Sequence, residues 1–155
     1  MVLDRDHKIA YACLSPRTHN SLIEEFAKKM SYETICFHSL DQRGQEIYHT
    51  NVMMCVADRY AVICLDSIKN PVEREWVVNK LIETDKTIIE ISMEQMNAFA
   101  GNMLQVLNQN GKPILVMSSQ AYESLSPEQV STLEFFNPIL HADLRTIETN
   151  GGGNR

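Results

Sequence analysis

The sequence predicts an α/β protein built from three copies of one unit: strand, turn, strand, helix, strand. Two kinds of observation carry this. The order of elements recurs three times along the 155 residues, and matching residue types recur at a nearly fixed spacing. Cys13 and Cys64 lie 51 apart on second strands, and Asn51 and Asn102 lie 51 apart where first strands begin. Ile35, Ile89 and Leu140 follow at intervals of 54 and 51 on third strands. A unit of about 52 residues cannot cover its own sheet and helix, so its neighbours must bury those faces. Units of this size set radially about an axis make an α/β propeller. The chain reads as a single domain piece with repeats over about 1–46, 47–98 and 99–155.

The first unit opens with a strand, a polar turn at Asp4 to Lys8, and a second strand from Ile9 to Ser15. A helix from about Thr18 to Met30 places Leu22, Ile23, Phe26, Ala27 and Met30 on one face. Thr34 to Phe37 closes the unit as a strand. In the second, strands Val52 to Ala57 and Tyr60 to Leu65 flank the tight turn Asp58-Arg59. Asn70, Pro71 and Glu73 have the form of an N-cap, a first-turn proline and a capping-box carboxylate. The helix they start is expected to turn Val72, Trp76, Val77 and Leu81 inward, and Thr87 to Ile91 to follow as a strand. A short capped helix spans Ser92 to Phe99. The third unit pairs Met103 to Leu107 with Ile114 to Met117 around the hairpin signal Asn110-Gly111. Ser126, Pro127 and Gln129 start a helix that buries Val130, Leu133 and Phe136, and Ile139 to Ile147 is expected to run extended. The methionines at 53, 54, 93, 96 and 103 read as core filler.

Composition narrows the function. A net charge of −6, with Lys28-Lys29 the only adjacent basic pair, argues against nucleic acid and anionic membrane as partners. No apolar run approaches a membrane span, and Asp4, Arg5 and Asp6 stand where a signal peptide needs its apolar segment, so a cytoplasmic location is expected. Cys13, Cys36, Cys55 and Cys64 sit in apolar runs with no metal-ligand spacing, so they read as buried reduced thiols. No metal and no cofactor is expected.

The radial arrangement brings three segments to equivalent places near the axis: Ile47 to Val52, Phe99 to Met103, and Thr149 to Arg155. They contain a histidine, His49, the asparagines Asn51, Asn102 and Asn150, and a glycine-rich run that includes Gly152. Loops held by a rigid scaffold are where binding residues gather. Consecutive glycines either bring bare backbone to a ligand or form a loose tail. Asn51 and Asn102 are read first as caps of their own backbone and second as substrate contacts.

These segments carry a resemblance. IAYACLSPRT (Ile9 to Thr18), IYHTNVMM (Ile47 to Met54), DRYAVICLDSI (Asp58 to Ile68), QMNAFAGNMLQV (Gln95 to Val106), LVMSSQAY (Leu115 to Tyr122) and IETNGGG (Ile147 to Gly153) resemble the pentein guanidine-modifying superfamily. The branch is the amidinotransferase and citrulline-utilisation hydrolase group, related to arginine deiminase. The resemblance implies a five-repeat propeller of which this chain holds about three ββαβ repeats. It also implies attack of a cysteine thiolate on the carbon of a guanidino or ureido group, with a histidine as acid and base. That histidine corresponds to His49. Asn51 stands where many relatives have an aspartate that contacts the guanidinium. The family's acidic partner and its nucleophilic cysteine fall on positions before Met1 and after Arg155, so the chain alone is expected to be inactive. Substrate contacts are then expected at Asn51, Asn102, Asn150 and Gly152. A non-catalytic binding protein on the same scaffold is the alternative. So is a fragment that self-associates into a homo-oligomer through unpaired blade edges.

Overall fold

The computed structural model describes residues 1–151, with side chains through Thr149. Three three-stranded sheets follow one another along the chain, and each obeys the same rule. In the first, β1 (Val2–Asp4) pairs antiparallel with β2 (Ile9–Cys13), which pairs in parallel with β3 (Glu33–Phe37). In the second, β4 (Met54–Val56) is antiparallel to β5 (Tyr60–Ile63), which is parallel to β6 (Thr87–Glu90). In the third, β7 (Leu104–Leu107), β8 (Pro113–Ser118) and β9 (Ile139–Ala142) repeat the pattern. Antiparallel neighbours need only a tight turn, whereas a parallel pair needs a crossover, and each unit supplies a helix there. These are α1 (Asn20–Met30), α3 (Pro71–Glu83) and α6 (Pro127–Phe136), with a short α2 (Thr50–Met53) ahead of β4.

The middle strands explain why the units hold together. Every residue of β2 and β5 is buried, as a strand covered on both faces requires. The first strands lie side by side from unit to unit, β1 by β4 and β4 by β7, and α3 of the second unit packs on β3 of the first. One apolar core, with Tyr11, Phe37, Met53, Tyr60, Leu115 and Leu133 among its members, runs through all three units. A polar staple joins the first two. Lys86 Nζ, fully buried, lies 3.0 Å from Asp4 Oδ2 and donates to the Asp58 carbonyl at 2.8 Å. The expected methionine filler is all in the core. No helix among the described residues is long and apolar enough to cross a membrane.

Several expectations are corrected. Val52 to Ala57 is not one strand: Thr50–Met53 coils as α2, because the buried Thr50 Oγ1 accepts the Cys13 N–H at 3.0 Å and pulls the segment onto the end of β2. Ile139 to Ile147 is not extended throughout. After β9 the Asp143 side chain accepts the Arg145 N–H, and Arg145–Gly151 forms α7. The Thr18 start of α1 moves to Asn20, with His19 as its cap. On that helix Ile23 is buried while Leu22 and Met30 face solvent. Val72 and Trp76 likewise face solvent, since α3 packs through Val77 and Leu81. Glu73 completes no capping box: its carboxylate accepts from the His38 backbone N–H at 2.8 Å and meets the His38 ring. Another helix, α5 (Ser119–Ser124), lies between β8 and α6, and α4 (Met93–Asn97) occupies the expected short segment with a complete Ser92/Gln95 capping box.

Candidate active site

His49 caps the N-terminus of α2 with extended backbone, and its side chain makes no capping hydrogen bond. The ring is exposed and meets Tyr48 edge-on at 4.6 Å, while the Arg17 guanidinium lies over the Tyr48 ring at 4.3 Å. The turn beneath it is firmly held. Val52 N–H donates to the His49 carbonyl at 2.9 Å, and Thr50 is anchored to β2. An imidazole on such a support can give and take protons at the surface without disturbing the core.

Asn51 and Asn102, one repeat apart in sequence, meet in space. The Asn51 amide donates to the Asn102 side-chain carbonyl at 3.3 Å. Gly101 makes this meeting possible. Its backbone lies so close to α2 that a Cβ there would overlap the Val52 carbonyl oxygen and stand 2.9 Å from the Val52 carbonyl carbon. Phe99, two residues earlier, holds φ at +67, which bulky L-residues rarely adopt. Such backbone persists only where its surroundings fix it, and it gathers at functional sites.

Asn102 and Phe99 also line a cleft of about 410 Å³, with Leu104, Met117, Ser118 and Glu148 among the other walls. That size suits a small molecule. Glu148 has both carboxylate oxygens buried, with no hydrogen-bond partner among the described residues. His49 does not line this cleft; it is joined to it through Asn51 and Asn102. The Asn150 side chain and Gly152 lie outside the described residues.

Cys13, Cys36 and Cys55 lie on β2, β3 and β4, whereas Cys64, expected on a strand, follows the end of β5 and starts a 3-10 turn. Burial pushes the Cys13 thiol up to about 12 and that of Cys55 to about 11, and raises those of Cys36 and Cys64 as well. Cys36 is half-buried, the others fully. Burial of this kind disfavours the thiolate, the form of cysteine that attacks a carbon or binds a metal. Among the described residues no cluster of three His, Cys, Asp or Glu could hold a metal ion.

Glu148 was missed in the sequence, although Leu144, Ile147 and Glu148 stand at the i, i+3, i+4 spacing that puts them on one helix face. Reading the segment as extended hid that spacing. Nothing in the sequence marks the positive φ of Phe99.

The model of a family described as N,N dimethylarginine dimethylhydrolase, eukaryotic, matches residues 1–155. The chain belongs to that family. Among solved structures, a substrate-bound variant of the N-terminal domain of ArgZ, an arginine dihydrolase from the ornithine–ammonia cycle in cyanobacteria, matches with a TM-score of 0.73. Its identity is 18%, over 97% of this chain and 51% of that one. AgrE, in ternary complex with ornithine and NAD+, matches with a TM-score of 0.74 and 20% identity, over 97% of this chain and 20% of that one. Apo ArgZ matches at 0.72 and 16%, over 97% of this chain and 22% of that one. The chain thus spans between about a fifth and a half of the length of these structures. Identities this low establish the fold, that of the pentein α/β propellers. Comparison with curated proteins gives no match.

Proposed function

We propose that this dimethylarginine-dimethylhydrolase-family chain contributes part of the active site of a hydrolase that cleaves a C–N bond of a guanidino or ureido compound. The observation that carries the reading is the Asn51–Asn102 hydrogen bond. It ties the turn bearing His49 to the wall of a cleft of small-molecule size, so an acid/base group and a binding site share one rigid frame. His49 protonates the departing amine and then activates the water that resolves the covalent intermediate. Asn51 and Asn102 orient the planar head of the substrate, and Asn150 and Gly152 are the other proposed substrate contacts. On this reading the attacking thiolate comes from sequence outside this chain, which fits the burial that raises all four described thiols and disfavours their thiolate forms. The chemistry calls for no metal or cofactor, and a cytoplasmic setting keeps such a thiol reduced.

The test is release of amine or ammonia from arginine, N,N-dimethylarginine and citrulline, by the 155-residue chain and by the full reading frame that contains it. Turnover by the full reading frame, lost on His49→Ala, supports the assignment. Turnover that survives His49→Ala in either protein refutes it. The same raised thiols favour a second reading, a non-catalytic binding protein on this scaffold. Binding of a guanidino compound without turnover by the full reading frame would select it.

A further inference from the structure

Two glutamines join the second unit to the third through one closed hydrogen-bond network. The Gln95 amide donates to the Gln129 side-chain oxygen at 2.6 Å and to the Ser124 carbonyl at 2.8 Å. The Gln129 amide donates back to the Gln95 side-chain oxygen at 3.2 Å and to the Glu90 carbonyl at 2.7 Å. Each side-chain oxygen also accepts the N–H of its own helix cap, Ser92 at 2.9 Å and Ser126 at 2.8 Å. A carboxamide has two donors and two acceptor positions, and both glutamines use all of theirs. A polar network that is part-buried and fully satisfied specifies one arrangement of the groups it joins.

The network ends at the wall of the cleft. Gln95 lies on α4, and its backbone carbonyl accepts the N–H of Ala98 at 3.1 Å and that of Ala100 at 2.9 Å. Those two residues flank Phe99, whose φ is +67. Phe99 lines the cleft, and its carbonyl accepts the Asn102 N–H at 2.9 Å. Left-handed backbone at a bulky residue persists only where its surroundings over-determine it. Gln95 does so from both ends, with its side chain anchored in the third unit and its main chain in the turn. We infer that Gln129, on α6 and outside the cleft, is a positioning residue for it. Through Gln95 it holds the 98–100 turn, keeps Phe99 left-handed and so places Asn102. The use of that placement, orienting a substrate, rests on the guanidino-modifying reading of the cleft.

Gln129→Ala removes the partner of Gln95 and leaves the sequence of α4 and its turn untouched. Amide hydrogen exchange of the 155-residue chain, read residue by residue by NMR, should quicken about tenfold at Ala98, Ala100 and Asn102, as loss of part-buried hydrogen bonds predicts. The control is Ser126→Ala. It removes the hydroxyl that accepts the Gln129 N–H at 3.2 Å and leaves the paired amides in place, so it should loosen α6 without quickening exchange at 98–102. The double variant Gln95→Ala with Gln129→Ala should exchange there no faster than Gln95→Ala alone, since Gln129 acts through Gln95. Unchanged exchange at 98–102 in Gln129→Ala, equal quickening in Ser126→Ala, or additive effects in the double variant would overturn the inference. In the full reading frame, Gln129→Ala should raise KM for arginine about tenfold and hold kcat within about twofold, whereas loss of folded enzyme would lower kcat and leave KM alone. An unchanged KM in a frame that turns over would also overturn it. If the parent frame shows no turnover while Gln129→Ala still loosens 98–102, the hydrolase assignment is lost and the positioning role stands.

Discussion

Gly101 offers the sharpest single perturbation of the site's frame. Its φ lies outside the left-handed region, so a side chain there meets no conformational objection; the objection is space. A Cβ would overlap the Val52 carbonyl oxygen and come within 2.9 Å of its carbon and 3.0 Å of the Met53 carbonyl carbon. All three are backbone atoms, so no rotamer change relieves the clash, and either α2 or the 99–102 segment must move. Overpacking of this kind costs about 1–3 kcal/mol, and the absence of any flexible neighbour puts Gly101→Ala at the upper end, about 3 kcal/mol. Gly111 supplies the opposite case. It has open space around it but holds φ at +71, so Gly111→Ala costs about 1 kcal/mol through left-handed strain alone. Urea unfolding of both variants measures the difference. Arginine titration adds a second readout, because moving α2 against Asn102 breaks the Asn51 bridge, whereas the hairpin turn at Gly111 touches nothing in the cleft. If Gly101→Ala is no less stable than Gly111→Ala and binds arginine as the parent does, the close approach does not hold the site together.

The remaining expectations concern charge and surface. Burial pushes the Asp4 carboxyl up, but hydrogen bonds from Lys86 and from His7, with the Lys86 charge, outweigh it and hold the group below its ordinary 3.8. A depressed folded value stabilises fully above the ordinary value and is lost as pH falls below 3.8 through the folded one, so urea midpoints should drop in that acid window. Lys86→Met, which leaves Asp4 buried and charged, should cost about 3–5 kcal/mol at neutral pH, less as acid protonates Asp4. His49→Ala should change stability by no more than about 0.5 kcal/mol, since the ring is exposed and caps nothing; a larger loss in thermal unfolding would make it structural. The third unit leaves Leu104, Leu107, Phe135 and Leu140 exposed, whereas Met54 and Cys55 at the matching edge of the second unit are buried. Sedimentation velocity should therefore show concentration-dependent self-association of the chain, weakened by Leu107→Lys with Leu140→Glu. A monomer at all concentrations would contradict this.

What the sequence made legible was periodic. The middle strands were plain because a strand buried on both faces reads as an unbroken apolar run, as in Ile9–Cys13 and Tyr60–Ile63. The helix starts at Ser92, Asn70 and Ser126 were plain because a capping side chain is local chemistry, needing only residues two or three positions on. What failed was decided at a distance. The β-branched look of Val52 could not foretell that Thr50 would bond to Cys13, 37 residues earlier, and draw the segment into a helical turn. Val72 and Trp76 are apolar and share an i, i+4 stripe, but Val77 and Leu81 form a second stripe one residue, about 100°, around the helix. Only the packing of α3 on β3 and β6 decides which stripe is covered. Glu73 had the right spacing for a capping box and was claimed instead by His38 across the unit boundary.

The repeat also explains why the site forms where it does. Repetition places Asn51 and Asn102 just ahead of the first strands of successive units, Asn51 within α2 and Asn102 two residues before β7, and the neighbouring first strands bring the two segments together. A side-chain hydrogen bond between equivalent residues is then a property of the packing, which is why an asparagine at each place first reads as structure. Yet both side chains are exposed, and a carboxamide has two donors and two acceptor positions, of which this contact uses one on each partner. A bond that served stability alone would contribute little in so open a place, where water competes for the same atoms. Its consequence lies in position. It aligns the Asn102 amide with the rim of the cleft that Glu148 also lines, beside the turn that carries His49. The bridge therefore does structural work in the service of the cleft, and the structural and binding readings of the two asparagines describe one arrangement.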